Sequence, residues 1–382
     1  MKILHLLSNW KWTERSEPAV DLAVAEAELG ANIRFVCGQS PPDTKYDAAF
    51  HAAQKGIDKV DVFDMPKHFK ARSAVRDVSS LRKLLASYRP DIIHCHLPNA
   101  HLMAALAKGM SKGPLIIASN YDPEGRPDDF KTILLYRYAT DGLVVINQKA
   151  RDHLLKRAKS GPERVLVAEP GIDLDRFAPT RKISGSRASF GLEKESFVVG
   201  LVSRIRESRR IDIVLVAIKK LAENFPQLRM LLIGRGSKGA VETAVVNPAR
   251  RGGIADRIIL AGYCRGDRLV AAYRSMDILI YPVPGTDKTC RTVREAMAAG
   301  IPVIAPQIGF LPELIKDGHN GRLMKLSGER LARILCEFIK DETGLQKMSQ
   351  HALETAQVRF SRRLQAQRVL SFCEALLKEG RH

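Results

Sequence analysis

Asp287-Lys-Thr-Cys-Arg-Thr-Val-Arg-Glu-Ala-Met-Ala-Ala-Gly300-Ile-Pro-Val-Ile-Ala305 is the stretch on which the reading of this chain turns. A helical run stops at Gly300, a turn follows, and Val303–Ala305 is a short β-branched strand. Helix, turn and buried strand in that order are part of a βαβ unit. Asp287 lies eight positions before Glu295, which is expected in the first turn of the helix, where backbone N–H groups lack partners and the dipole favours negative charge. Such an arrangement suits a ligand with both hydroxyls and phosphates: the carboxylates accept from sugar hydroxyls while the amides face the phosphates. A glutamate there is also an ordinary dipole-complementing residue, so its neighbours must decide.

Outward from this stretch, β-branched runs alternate with helical patterns along the whole chain, the signature of parallel sheets covered by helices on both faces. In the first half the strands read Lys2–Leu7, Ile33–Cys37, Lys59–Phe63, Ile92–Cys95, Leu115–Ser119, Gly142–Ile146 and Val165–Ala168. In the second they read Val198–Val202, Arg229–Ile233, Ile258–Ala261, Ile278–Tyr281, Val303–Ala305 and Asn320–Met324. Two α/β domains of the Rossmann-like kind are expected, over residues 1–178 and 188–361, with the polar stretch Pro179–Arg187 as linker. Their strands' carboxyl ends are expected to face each other across a cleft. Helical periodicity continues through residues 342–382, interrupted at Phe360-Ser361, and a last helix over about 362–382 is expected to pack back on the first domain.

At 382 residues the chain suits two domains, and 45% hydrophobic with 27% charged residues is ordinary globular balance. The start, Met1 to Leu7, is too short and lacks the cleavage pattern for a signal peptide, and no apolar stretch approaches the ~20 residues needed to cross a bilayer. A cytoplasmic protein is expected. Six scattered cysteines without Cys-x-x-Cys spacing read as packed thiols rather than a disulfide or zinc framework. The net charge of +19, concentrated in the second half, suits phosphorylated small molecules or an anionic membrane surface. No nucleic-acid-binding pattern accompanies it, so nucleic acid is not expected as a partner.

Seven pieces then occur in order: Pro170-Gly-Ile-Asp-Leu-Asp-Arg-Phe177, Gly200-Leu-Val-Ser-Arg204-Ile-Arg-Glu-Ser-Arg209, Leu231-Leu-Ile-Gly-Arg-Gly236, Ile259-Leu-Ala-Gly-Tyr263, Tyr273-Arg-Ser-Met-Asp-Ile-Leu-Ile-Tyr-Pro282, Asp287 through Ala305, and Gly309-Phe-Leu-Pro-Glu313. Together they resemble the retaining GT-B glycosyltransferases of the family-4 type (glycosyl transferases group 1). The resemblance covers nearly the whole chain and is most specific over 165–325. It implies a retaining transferase that moves a hexose-type sugar from a nucleotide-diphosphate sugar to a glycan or lipid-linked acceptor, in cell-surface polysaccharide or lipopolysaccharide synthesis. It implies neither a catalytic metal nor a cofactor beyond the donor. Asp173-Leu-Asp175, the only Asp-x-Asp, is not expected to hold a metal.

By that resemblance the donor would meet Arg204, Arg209, Gly236, Gly262, Tyr263, Asp287, Thr289, Cys290, Arg291, Thr292 and Glu295. Arg204 and Arg209 would face the diphosphate, where a forked, permanently charged donor stabilises a leaving phosphate. A solvated basic turn is the ordinary alternative, since Arg206 and Arg210 lie nearby. Glu295 matches the glutamate that holds the ribose diol. Asp287 stands where the family has a longer glutamate beside the transferred sugar. Lys288-Thr-Cys290 replaces the usual Gly-Phe-Gly, and with the glycines goes their backbone freedom. Lys288 and Arg291 are either phosphate contacts or surface charges.

On the acceptor side, the loop Ser8–Ser16 holds both tryptophans, Trp10 and Trp12, with Thr13, and suits stacking on sugar rings or a lipid-linked acceptor; an exposed structural loop is the alternative. His94 and His96 end an apolar strand, where a cleft residue would lie. Alternating along the strand, they are expected to face opposite ways and not to share a metal, and a site role for His96 stays open beside a buried or capping one. Asn120 takes the register where the family places a histidine, and it can orient a hydroxyl without titrating. The basic amphipathic segment Pro66–Leu85 is read either as a dock for the anionic inner face of the plasma membrane or as a packed surface helix. Two rival functions remain: a nucleotide-sugar epimerase on the same plan, and a nucleotide-sugar or polyanion binding protein with impaired catalysis.

Overall fold

The computed structural model describes residues 1–13, 15–109, 113–125, 130–158, 161–180, 185–283 and 289–379. The chain forms two compact units, Met1–Ile172 with Ser361–His382, and Asp173–Phe360.

In the first unit the strands are β1 Lys2–Leu7, β2 Asn32–Gly38, β3 Val60–Phe63, β4 Ile92–Cys95, β5 Leu115–Asn120, β6 Gly142–Val145 and β7 Val165–Val167. They pair in parallel in the order β3-β2-β1-β4-β5-β6-β7. The helices α1 Ser16–Glu28, α2 Ala48–Gln54, α3 Ala71–Tyr88, α4 Pro98–Lys108, α5 Phe130–Tyr138 and α6 Gln148–Ala158 alternate with the strands. Strand interiors such as Ile3, Leu4, Leu6, Ile92 and Ile93 are buried, as continuous apolar runs must be when helices cover both faces. Each such side chain contributes about 1.5–3 kcal/mol.

The C-terminal helix Arg362–Glu379 belongs to this unit: Ala366, Val369, Cys373 and Leu376 join the core that α1 also lines. Two glycines admit it. A Cβ on Gly171 would come within 2.2 Å of Arg362 Cα, and one on Gly142 within 2.6 Å of the Leu376 side chain. Gln365 Oε1 accepts from the Gly171 N–H at 2.8 Å.

In the second unit β8 Phe197–Val202, β9 Leu228–Ile233, β10 Ile258–Gly262, β11 Ile278–Ile280, β12 Val303–Pro306 and β13 Gly321–Met324 form a parallel sheet in the order β10-β9-β8-β11-β12-β13. Its helices are α7 Leu174–Phe177, α8 Ile211–Leu221, α9 Lys238–Val241, α10 Asn247–Arg251, α11 Gly266–Arg274, α12 Arg291–Ala298, α13 Leu311–Leu314, α14 Gly328–Lys340 and α15 Glu342–Arg359. Residues 179–180 and 185–187 of the polar stretch lie in this unit, where Arg187 forks onto Asp277 at 2.8 and 2.9 Å. Asp173 accepts from Arg176 N at 3.1 Å, so the Asp-x-Asp begins by capping α7.

Both sheets have the doubly wound order. The order in which strands are added reverses between β1 and β4 in one and between β8 and β11 in the other, all strands staying parallel, and ligands of such sheets bind outside the carboxyl ends of the strands at that switch point. The loops after β1, β4, β8 and β11 are therefore where site residues are to be sought. Among the described residues no helix is long and apolar enough to cross a membrane.

Candidate active site

The loops after β8, β9 and β10 are tied to one another. Ser203 N donates to Ile233 O at 3.0 Å, Ile205 N to Arg235 O at 3.0 Å, and Gly234 N to Gly262 O at 2.9 Å. Gly234 has φ +148° with the Ser203 carbonyl 1.7 Å from where a Cβ would be, and a Cβ on Gly236 would meet Ile205 O at 2.6 Å. Both glycines thus let the β9 loop lie against the segment carrying Arg204. Arg204 is exposed; Arg209 is half-buried, and its Nε has no hydrogen-bond partner among the described residues. Tyr263 is exposed, with the guanidinium carbons of Arg235 and Arg265 at 5.1 and 4.8 Å from its ring centroid. Three loops in register therefore gather arginines and one aromatic face at the carboxyl edge of this sheet.

The fourth loop leads into α12. Residues 284–288 lie outside the described residues, and with them Asp287 and Lys288. Thr289 and Cys290 are buried, and Cys290, the N-cap of α12, adopts φ 51°, ψ 45°. That left-handed turn is one that glycine would adopt freely, so Cys290 holds a conformation ordinarily left to glycine. Glu295 is the fifth residue of α12, in its second turn rather than its first. The expectation missed because α12 already begins at Arg291, directly after this left-handed turn, which puts four residues before Glu295. Glu295 is instead fixed by its neighbours: Tyr273 Oη donates to Oε2 at 2.9 Å and Arg291 Nε to Oε1 at 2.8 Å, all three residues being buried. Each carboxylate oxygen keeps a second lone pair for a hydroxyl. Burial, and then the Glu295 charge, push the Tyr273 hydroxyl well above its ordinary pKa, so it stays a donor. Thr292, half-buried, lies near the same tyrosine in the first turn of α12.

Tyr273 and Arg291 as the carboxylate's two donors are what sequence reasoning missed. Arg291 sits four residues before Glu295, a helical pair spacing that was available; Tyr273 comes from α11 and carried no such signal.

At the switch point of the first unit, Asn9 Oδ1 accepts from Lys11 N at 3.1 Å, and Trp10 O accepts from Ala48 N at 2.7 Å. Trp12 packs on His51 with centroids 4.2 Å apart and has Lys55 Nζ 5.1 Å from its ring centroid. It is half-buried and clasps α2 rather than standing free. Thr13 holds the start of α1 through Ser16 N and Ser16 Oγ. Asn120 Oδ1 accepts from Asp122 N at 2.8 Å, which closes the turn after β5. In the segment Pro66–Leu85, Leu81 and Leu84 enter the core while Phe69 and Val75 remain exposed.

His94 and His96 do not face opposite ways. Residues two apart share a face of a strand, and their rings lie 4.5 Å apart at 22°. His5, paired with His94 in the β1–β4 register, joins them, with centroids 5.2 Å from both. A nitrogen of each of the three lies within 4.8 Å of the others. His5 Nδ1 is 2.9 Å from His96 Nε2, His5 Nε2 is 2.7 Å from Glu26 Oε2, His96 Nδ1 is 2.9 Å from Tyr121 Oη, and His94 Nε2 is 2.8 Å from Ser119 Oγ. Burial lowers His5 and His94 to about 3 and raises Glu26 to about 8. A histidine inside an apolar β1 was a visible signal, but only register joined it to β4.

The family model for Glycosyltransferase Family 4 matches residues 19–176, and that for Glycosyl transferases group 1 matches 183–355. Relatives include D-inositol 3-phosphate glycosyltransferases of Streptomyces bingchenggensis, 28% identical over 63% of this chain and 57% of the relative, and of Mycobacteroides abscessus, 34% identical over 48% and 41%. The matches thus span about half the length of these curated relatives. Among solved structures, Anabaena Alr3699/HepE in complex with UDP-glucose superposes with a TM-score of 0.77 at 19% identity, covering 98% of this chain and 100% of that one. A glycosyltransferase from Rickettsia africae gives 0.79 at 17%, covering 99% and 98%. Two doubly wound parallel sheets, the fold of these structures and the two models matched in sequence order lead to one statement: the chain belongs to the group 1, family-4 type glycosyltransferases of GT-B fold.

Proposed function

We propose that this chain is a retaining glycosyltransferase that moves a hexose-type sugar from a nucleotide-diphosphate sugar to a glycan or lipid-linked acceptor in cell-surface polysaccharide synthesis. The observation that carries the reading is the left-handed turn at Cys290 opening onto Glu295, whose carboxylate is held by Tyr273 and Arg291, in the loop after β11, the neighbour of the strand whose loop carries Arg204 and Arg209. In this reading Glu295 takes the ribose diol, Tyr263 with Gly262 lies by the base, and Asp287 meets the sugar. Arg204 and Arg209 take the diphosphate, with no metal ion there. As the glycosidic bond stretches, positive charge grows on the ring and negative charge on the leaving phosphate, which the arginines stabilise. That phosphate then accepts the acceptor's proton on the same face.

The acceptor half rests on the first unit's switch point, with Trp10 and His96 as contacts and Trp12, Thr13 and Asn120 shaping the loops. Exposed Phe69 and Val75, with Lys67, Lys70 and Arg72 near them, favour contact with an anionic membrane at the cytoplasmic face. The relatives' names add polyol phosphates to the acceptors worth testing, and the UDP-glucose complex makes UDP-sugars the first donors to try.

Thermal-shift screening of UDP-, GDP- and ADP-sugars tests the donor half. At least one should stabilise the protein, and Arg204→Ala or Arg209→Ala should weaken its binding by about 10- to 100-fold, the equivalent of ~1.5–3 kcal/mol for a charge-assisted bond. Stabilisation by none of them sinks the reading. Nucleotide release is then followed with and without membrane extract and with chelator: acceptor-dependent, chelator-insensitive release supports metal-independent transfer, whereas acceptor-independent turnover points to epimerisation.

A further inference from the structure

We propose that Glu26, His5, His96 and Tyr121 form one hydrogen-bonded string whose protons all point outward, so that Glu26 and His5 are positioning residues that present the Tyr121 hydroxyl as a donor to the acceptor substrate. This rests on the reading that the first unit's switch point receives the acceptor. The string is continuous: Glu26 Oε2 lies 2.7 Å from His5 Nε2, His5 Nδ1 lies 2.9 Å from His96 Nε2, and His96 Nδ1 lies 2.9 Å from Tyr121 Oη. His5 and His96 meet head-on with their planes 8° apart, and His96 and Tyr121 are 14° apart. His96 is 1% exposed and both its ring nitrogens are engaged, so it reaches the acceptor only through Tyr121, which is half-buried and directly follows β5.

A neutral imidazole has one donor and one acceptor nitrogen, so two proton orders satisfy all three bonds. In the inward order Tyr121 donates to His96, His96 to His5 and His5 to a Glu26 carboxylate. In the outward order a protonated Glu26 donates to His5, His5 Nδ1 to His96 and His96 Nδ1 to the tyrosine oxygen, which leaves the Tyr121 hydrogen for an outside partner. The outward order holds one more proton and no charge. The inward order places a carboxylate at 0% exposure with its Oε1 unpartnered among the described residues, and an unpaired buried charge costs far more than an unpaired neutral oxygen. Burial accordingly raises Glu26 to about 8 and lowers His5 to about 3, so the proton stays on the acid. Burial also raises the Tyr121 hydroxyl, which therefore remains a donor. His94 stacks on His96 rather than joining the string. Its Nε2 lies 2.8 Å from Ser119 Oγ while Nδ1 has no partner among the described residues, so its hydrogen belongs on Nε2.

Long-range proton–nitrogen spectra of the histidine-labelled full chain at neutral pH should show His5 and His96 protonated on Nδ1 and His94 on Nε2. Glu26→Gln, whose amide can still donate to His5, should keep this pattern, and Glu26→Leu, which cannot, should lose it at His5 and His96. Hydrogens on Nε2 of His5 and His96, or an imidazolium at either, overturn the proton order. These spectra need no substrate, so they stand whether or not the donor screen succeeds. The positioning role is read as nucleotide release at limiting membrane extract, using the nucleotide sugar that stabilises the protein. Tyr121→Phe should slow extract-dependent release by about 2- to 10-fold, as loss of one neutral hydrogen bond does, with the donor-induced thermal shift unchanged. Glu26→Leu should slow it similarly and add nothing further in a Tyr121→Phe background. Release at the wild-type rate in Tyr121→Phe, or losses from the two changes that add, overturns the positioning role. The wild-type spectrum and Tyr121→Phe decide the matter even where Glu26→Leu does not fold.

Discussion

Tyr273→Phe isolates the contact that fixes the candidate ribose ligand. The ring is fully buried, edge-on to Phe177 at 5.7 Å, so removing one oxygen leaves the packing intact and deletes only the 2.9 Å bond to Glu295 Oε2. A hydrogen bond to a charged group is worth about 1.5–3 kcal/mol. At roughly 2–4 °C per kcal/mol for a unit of this size, the second unit's Tm should fall by about 3–12 °C. In a Glu295→Gln background the hydroxyl faces a neutral amide, and the same change should cost only about 0.5–1.5 kcal/mol. Differential scanning calorimetry on the four proteins of this cycle measures the coupling. The sign of the pH dependence follows from the raised hydroxyl pKa: stabilisation is complete below the ordinary value of about 10 and is lost only as pH climbs toward the higher folded value. The wild-type advantage should therefore be flat from about pH 6 to 9. A Tm change under about 1 °C, or effects that add to within ~0.5 kcal/mol, would refute the claim that Tyr273 holds an ionised Glu295.

Three other outcomes follow. Gly171→Ala, which sets a methyl group where Arg362 Cα lies 2.2 Å away, should loosen the C-terminal helix by about 1–3 kcal/mol, seen as faster amide exchange in residues 362–379 than elsewhere in the first unit. Cys290→Gly relieves a left-handed residue by about 1–2 kcal/mol against the loss of a buried thiol, so it should keep stability and donor binding near wild type, whereas β-branched Cys290→Val should abolish donor-induced thermal shift. Burial lowers His101 to about 4, so its neutral form stabilises the fold fully above about pH 6.5 and that contribution disappears as pH falls through 4. His101→Asn should consequently flatten part of the acid-side decline in chemical-denaturation stability between those limits.

Strand positions were legible because parallel strands buried on both faces must be continuous apolar runs. Ile92–Cys95 and Val303–Pro306 announce themselves this way. Helix starts were less so. Glu295 was expected one turn too early because a left-handed Cys290 has no sequence signature; only glycine or asparagine would have betrayed it. The acceptor-side residues show the same limit in another form. Trp12, Thr13 and Asn120 read as candidate ligands because aromatics and polar side chains in loops suit recognition, yet their described contacts bind the loops to α2, to α1 and to the turn after β5.

By itself the sequence determined that this chain makes two α/β units, that arginines would follow β8 and that an acidic residue would stand in the helix after β11, since hydrophobic period, turn residues and charge are all local properties. What tertiary structure alone decided is which groups meet. Tyr273 reaches Glu295 from 22 positions away, and His5 joins His94 and His96 across 89 and 91. Sheet register and helix packing set such encounters, and they depend on the simultaneous burial of many side chains that no local window contains.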